Sequence, residues 1–437
     1  MKINPLYVKR TACIVLAAFA LIGCVRDKCD MEYNYMEYSP MYMSRSDFLN
    51  AVKTEAPRNL ENPGKIYVYG DLLLVNEVAK GVHIFDNQNP EAPVALSFLA
   101  VPGNYDISVK CDHLYLDSST DLLVFNLTNP SAPVLTQRLT NALPNLTYFR
   151  GYQADPDLGV VVGWRGEMKT GKFSCEDGGL STIIEMNRVE PSQVDNPSVA
   201  GGPRTRGINP AANGKAGSTS RFAIQNDHLY VAQPQELKVL SLADCSAPVE
   251  VREIPVQLMG GEVETIFPLD DKLFLGSTTG MFIYDARNPS NPQLLSTFEH
   301  ATACDPVVAD QNYAYVTLRT ADRFQCPGFT NQLDVIDVRQ PSNPQLVRSY
   351  PMAAPEGLGI DGKLLFICDG PSGLKVYDRS NPQDIDENMI ASFASILAKD
   401  VIPNNGVLIA SASQGIFQYD YSNPQDIRQL SLIPADQ

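Results

Sequence analysis

A phrase of about 42 residues recurs through most of this 437-residue chain, and every copy closes alike. An apolar strand ends on Asp or Asn, and a stiff Asn-Pro-x-x-Pro or a relative of it follows. Val82-His83-Ile84-Phe85-Asp86 runs into Asn89-Pro90-Glu91-Ala92-Pro93, and Met281-Phe282-Ile283-Tyr284-Asp285 runs into Asn288-Pro289-Ser290-Asn291-Pro292. A fixed period of this length, with room for four short strands per copy, predicts an all-β β-propeller of four-stranded antiparallel blades.

The punctuation has a chemical reason. Asp or Asn at a strand end accepts from its own downstream amides in an Asx-turn. Proline then removes a donor and fixes φ, so the ladder stops there. Counting strand ends gives Asp86, Asn126, Asn187, Ser241, Asp285, Asp337, Asp378 and Asp420, with spacings of 40, 61, 54, 44, 52, 41 and 42. That count predicts eight blades, with seven as the alternative. Units three and four depart most from the pattern. Val160-Val161-Val162-Gly163-Trp164 reads as a strand, residues 166–220 as a long insertion, and residues 190–220 as polar chain with no apolar period, which favours disorder over function. The propeller is expected over 63–437.

Thirty-two Pro and 29 Gly fit many turns and short strands. The formal charge of −16 argues against nucleic acid as a partner and against attraction to anionic lipid. Residues 1–23 read as a targeting segment, with Lys2, Lys9 and Arg10 ahead of an apolar run from Thr11 to Ile22. Leu21-Ile22-Gly23-Cys24 resembles a bacterial lipobox. The resemblance implies cleavage before Cys24, lipidation there, and a mature charge of −16 − 3 = −19. Residues 24–62 would be a tether, rich in Tyr and Met over 31–43, with a short helix starting at Ser44 and a surface expected beneath the aromatics.

Of nine cysteines, seven remain once Cys13 and Cys24 are set aside, so at least one is free or pairs outside the chain. Cys304 and Cys326 flank the hairpin of one repeat and are the expected disulfide; the others are expected as buried small apolar residues.

The third strands Val124-Phe125-Asn126, Leu333-Asp334-Val335-Ile336-Asp337 and Leu374-Lys375-Val376-Tyr377-Asp378, each with its proline-rich link, resemble the LVIVD-repeat proteins, exported propeller-like proteins common in bacteria such as the Bacteroidetes. Asn62-Pro63-Gly64-Lys65-Ile66-Tyr67 and Cys304-Asp305-Pro306-Val307-Val308 are similar to lipoprotein members. The resemblance covers roughly residues 60–435. It implies a fold and no reaction.

One pattern bears on function. The first position of each inner strand reads Lys65, Asp106, Arg150, Arg221, Glu264, Asp305, Glu356 and Asp400, all charged in a chain with 19% charged residues. Inner strands line the axis of a propeller, so these eight would form a rim at one mouth. Clustered carboxylates suit a hard cation or a polar ligand; ion pairs around a water-filled hole are the structural alternative. A divalent cation at the rim is the one cofactor the pattern admits. Catalytic signals are thin. His113 and His228 occupy one repeat position, Asp-His-Leu-Tyr, and neither zinc spacing nor a Gly-x-Ser-x-Gly is present. Trp164 beside Arg165 reads as core or as a stacking surface. The expectation is a non-catalytic binding or scaffolding module at the cell envelope, anchored to the outer membrane by lipid and facing the periplasm or the surface, with an envelope protein or glycan as partner. The alternative is a carbohydrate-active or other hydrolytic enzyme using rim carboxylates.

Overall fold

The computed structural model describes residues 30–146, 155–174, 214–257, 261–301, 303–304, 306–320 and 330–436. They fall into two compact units. One holds residues 30–41 and 164–174, the body of a two-stranded ribbon formed by Asp30–Met43 and Val160–Ser174. The other is the propeller.

Among the described residues the propeller has seven blades, not eight. Blades 1 to 7 span 63–100, 107–139, 222–255, 263–299, 307–351, 358–393 and 398–434, each four consecutive antiparallel strands in chain order. The expected third unit is not a blade. Its apolar run, Val160 to Trp164, continues as one strand for 15 residues and pairs with Asp30–Met43 instead of folding back on itself; Asn187 lies outside the described residues. The two long spacings around Asn187 therefore enclose a single blade and a long insertion.

Seven buried clusters hold the ring, one at each blade-to-blade interface. The last packs Ile402, Ile409 and Ile416 of blade 7 on Ile66 and Val68 of blade 1 and on Leu60 just ahead of it. Middle strands are covered on both faces, so they open on apolar runs such as Leu72–Val75, and even Asn76 and Glu77 at the end of that strand are buried. Outer strands keep one face in water; Val249–Pro255 is mostly exposed. Among the described residues, no strand is exchanged across the seam. Leu60 pairs with Ala435 instead, and the Asp436 amide donates to the Leu60 carbonyl at 2.7 Å.

The Asx-turns form as expected. Asp86, Asn126, Asp285, Asp337, Asp378 and Asp420 each accept from the amide two residues on, at 2.8–3.0 Å, and Ser241 does so through its hydroxyl at 3.3 Å. The tether's helix is Arg45–Asn50, with Ser44 Oγ accepting from the Asp47 amide and Phe48 buried. Lys53–Glu55 then extends the outer edge of blade 1.

Cysteine pairing differs from expectation at one place. Cys111 of blade 2 and Cys245 of blade 3 are bonded to each other rather than serving as small apolar residues. Cys368 is free and buried, as expected. Cys304 is disulfide-bonded; Cys326 lies outside the described residues.

Candidate functional site

Six of the eight charged positions are described, and they open the inner strands of blades 1, 2, 3, 4, 6 and 7 in the order Lys65, Asp106, Arg221, Glu264, Glu356 and Asp400. Asp305 lies outside the described residues, as does Arg150, which falls in sequence between blades 2 and 3.

What occupies the axis is the chain itself. Residues 214–220, expected as part of a structureless insertion, thread between the inner strands and lead into blade 3 at Phe222. Lys215 and Ala216 pair with Val68 and Tyr67 of blade 1. Lys215 Nζ donates to the Pro403 carbonyl of blade 7. Ser218 Oγ accepts from the Leu358 amide of blade 6 at 2.8 Å, and the Ser220 carbonyl accepts from the Ile266 amide of blade 4 at 2.9 Å. The segment thus bonds to four blades here, to a fifth through Asp106 at the head of blade 2, and continues into a sixth.

Two buried aspartates fasten it. Asp400, 2% exposed, accepts from the Ser218 amide and hydroxyl at 3.2 and 3.1 Å, from Thr219 Oγ1 at 2.7 Å and from the Val401 amide at 3.0 Å. Asp106, 1% exposed, accepts from Ser220 Oγ at 2.8 Å, the Arg221 amide at 2.6 Å and the Ile107 amide at 2.9 Å, and pairs with Lys65 Nζ. Small residues are required for this approach. A Cβ on Gly217 would lie 1.9 Å from Asp400 Oδ2, and one on Gly357 would lie 2.3 Å from Oδ1. The sequence signal was present in Gly214-Lys215-Ala216-Gly217-Ser218-Thr219-Ser220 as a run of small hydrogen-bonding residues, but it reads equally well as a linker.

Electrostatics follow burial. Burial raises the Asp400 carboxyl above its ordinary value, against the bonds from Thr219, Val401 and Ser218. Burial likewise raises Glu356, opposed by Arg319 and Lys399, with Arg319 Nη1 3.3 Å from Glu356 Oε1. Burial lowers the Lys399 ammonium, with Glu356 and Glu77 pulling the other way. Among the described residues, no three His, Cys, Asp or Glu side chains converge as a metal site.

At the opposite mouth, strand-turn residues form a belt that sequence reading missed. Tyr69 Oη donates to Asp112 Oδ1 at 3.0 Å, Lys110 pairs with Asp227 at 2.7 Å, Arg379 pairs with Asp310, and Tyr421 Oη donates to Asp361 at 2.6 Å. Each bond joins neighbouring blades. His228 does the same through Ser290 Oγ at 2.8 Å, whereas His83 is buried against Glu77 Oε2 at 3.1 Å.

The LVIVD repeat matches residues 216–254 and 302–351, which fall on blades 3 and 5. The chain carries LVIVD repeats. Among curated proteins none matches it. Similar solved structures include a protein from Lactobacillus plantarum (9% identity, 85% of this chain and 96% of that one, TM-score 0.52) and a functionally unknown protein from Desulfotomaculum acetoxidans (9%, 85% and 97%, 0.50). A periplasmic gluconolactonase of Pseudomonas aeruginosa also aligns (11%, 85% and 98%, 0.48). At these identities the likeness speaks for the fold alone.

Proposed function

We propose that this LVIVD-repeat propeller is a lipoprotein of the Bacteroidetes type, anchored at Cys24 in the outer membrane, and that it serves as a non-catalytic binding or scaffolding module of the cell envelope. One observation supports the non-catalytic reading above others. Residues 214–220 fill the axis, and Asp106 and Asp400 are consumed in holding them. A propeller enzyme needs a concave, accessible site with polar groups free to converge on substrate. Here two of the rim carboxylates face backbone and hydroxyl donors of the same chain. Binding then falls to the outer surfaces and the insertions.

A hydrolytic reading keeps one observation in its favour. Glu356 has a carboxyl raised by burial, the property a general acid requires. The two readings part in one pair of experiments. Crosslinking in intact cells followed by purification tests for a stoichiometric envelope partner. A glycan and lactone hydrolysis screen of the purified protein, with Glu356→Gln beside it, tests for turnover. A saturable partner without turnover upholds the proposal; turnover abolished by Glu356→Gln overturns it. Mass spectrometry of the mature N-terminal peptide tests acylation of Cys24.

A further inference from the structure

The ribbon of Asp30–Met43 and Val160–Ser174 has two unlike faces. A Cβ on Gly166 would lie 3.1 Å from Met36 Sδ and 3.2 Å from the Tyr38 ring, so these three residues share a face. Strand alternation adds Trp164 and Met168, two residues to either side of Gly166. Met168 is 64% exposed, and Met36, Tyr38 and Trp164 are half-buried. The other face carries charge beside Tyr35. Lys169 Nζ lies 2.9 Å from Glu167 Oε2 and 3.7 Å from Glu37 Oε2.

A two-stranded ribbon is marginal in water, and one with an exposed sulfur-and-ring face gains by covering it. Its position in the chain indicates with what. Asp30 lies only six positions beyond Cys24, and six extended steps reach about 20 Å. A chain acylated at Cys24 therefore holds the start of this ribbon within about one headgroup layer and a short step of the bilayer. Trp and Tyr favour that depth, where the ring meets hydrocarbon and the polar edge stays wet. The strongly acidic chain gains nothing from anionic lipid, so the contact is an apolar one with neutral headgroups.

We propose that the face made by Met36, Tyr38, Trp164 and Met168 lies on the lipid surface beside the anchor, as a second membrane contact; this rests on acylation of Cys24. Two weak contacts on one tether act together, because the first raises the effective concentration of the second.

Trp164 is the chain's single tryptophan, which makes the test direct. The full mature protein is reconstituted in phosphatidylcholine vesicles, with bromine on the acyl chains close to the headgroups. Trp164 should lose most of its emission there and keep it in unbrominated vesicles. Met36→Glu with Met168→Glu should restore the emission, while Lys169→Gln on the charged face should leave the quenching in place; circular dichroism checks that each variant folds. Trp164 that stays bright with brominated lipid, while the N-terminal peptide carries its acyl chains, overturns the ribbon contact and spares the anchor. An unacylated Cys24 with Trp164 still quenched by added vesicles overturns the anchor and spares the ribbon. An unacylated Cys24 with Trp164 bright overturns both.

Discussion

Ser431, on the last strand of blade 7, donates its hydroxyl to the carbonyl of Pro90 in blade 1 at 2.6 Å across the seam of the ring. Ser97 donates to Pro130 at 2.7 Å in the same way, and Ser296 to Pro341 at 2.5 Å. Tyr230 and Tyr350 reach Pro289 and Pro382 at 2.8 and 2.7 Å. The proline-rich link is thus more than a strand terminator. The carbonyl of its first proline, released from the ladder, receives the preceding blade.

Ser431→Ala removes the seam bond without touching a cluster. The expected loss is about 1 kcal/mol, the net worth of one partly exposed hydrogen bond. Urea denaturation would show it as a lower midpoint at unchanged slope. An unchanged midpoint would mean that the apolar seam around Ile409 and Ile416, with the pairing of Leu60 and Ala435, closes the ring without help from Ser431.

Gly217→Ala places a methyl where Asp400 Oδ2 already sits. The segment must withdraw or the aspartate must turn, at a cost of about 1–3 kcal/mol. Amide exchange over 214–220 should accelerate while that of the blade clusters stays slow. Equal protection in both proteins would count against the segment being pinned.

Asp400 gives the fold a pH dependence of definite sign. Its carboxyl is raised on folding, chiefly by burial. The stability it contributes is complete below the unfolded value of about 3.9 and is lost as pH rises through the folded value. Glu356 acts in the same direction. Asp400→Asn keeps the shape and removes the charge. Its melting temperature should gain on the wild type as pH climbs from about 4 to 7; parallel curves would contradict a buried, raised carboxyl.

Cys111 and Cys245 close a loop of 134 residues between adjacent blades. Replacing both with serine should cost up to about 4 kcal/mol through the unfolded chain's regained entropy. Guanidinium unfolding without reductant measures it and leaves the Cys304 bond intact. A midpoint equal to wild type would show the bridge to be energetically idle.

Blade architecture was legible because it is written locally. Asp285 and Asp378 bond their own downstream amides, prolines stop each ladder within a few residues, and buried middle strands announce themselves as apolar runs. Each of these forces acts within one repeat, so each leaves a mark at a fixed offset. The charged positions at the inner strands were legible for the same reason.

The blade count was not. Val160 to Trp164 has the strand character of a blade, yet whether it pairs with Gly159's own neighbours or with Asp30–Met43 depends on residues more than a hundred positions away. Nor could the strand ends say what those charges would face. Residues 214–220 carry no apolar period, and their order comes from Asp106 and Asp400, brought together from 294 positions apart only once the ring closes. Sequence alone determined the repeated sheet and its punctuation, because those are short-range chemistry. The number of blades, the filled axis and the burial of its aspartates were decided by tertiary structure, because desolvation and long-range pairing exist only after the blades have met.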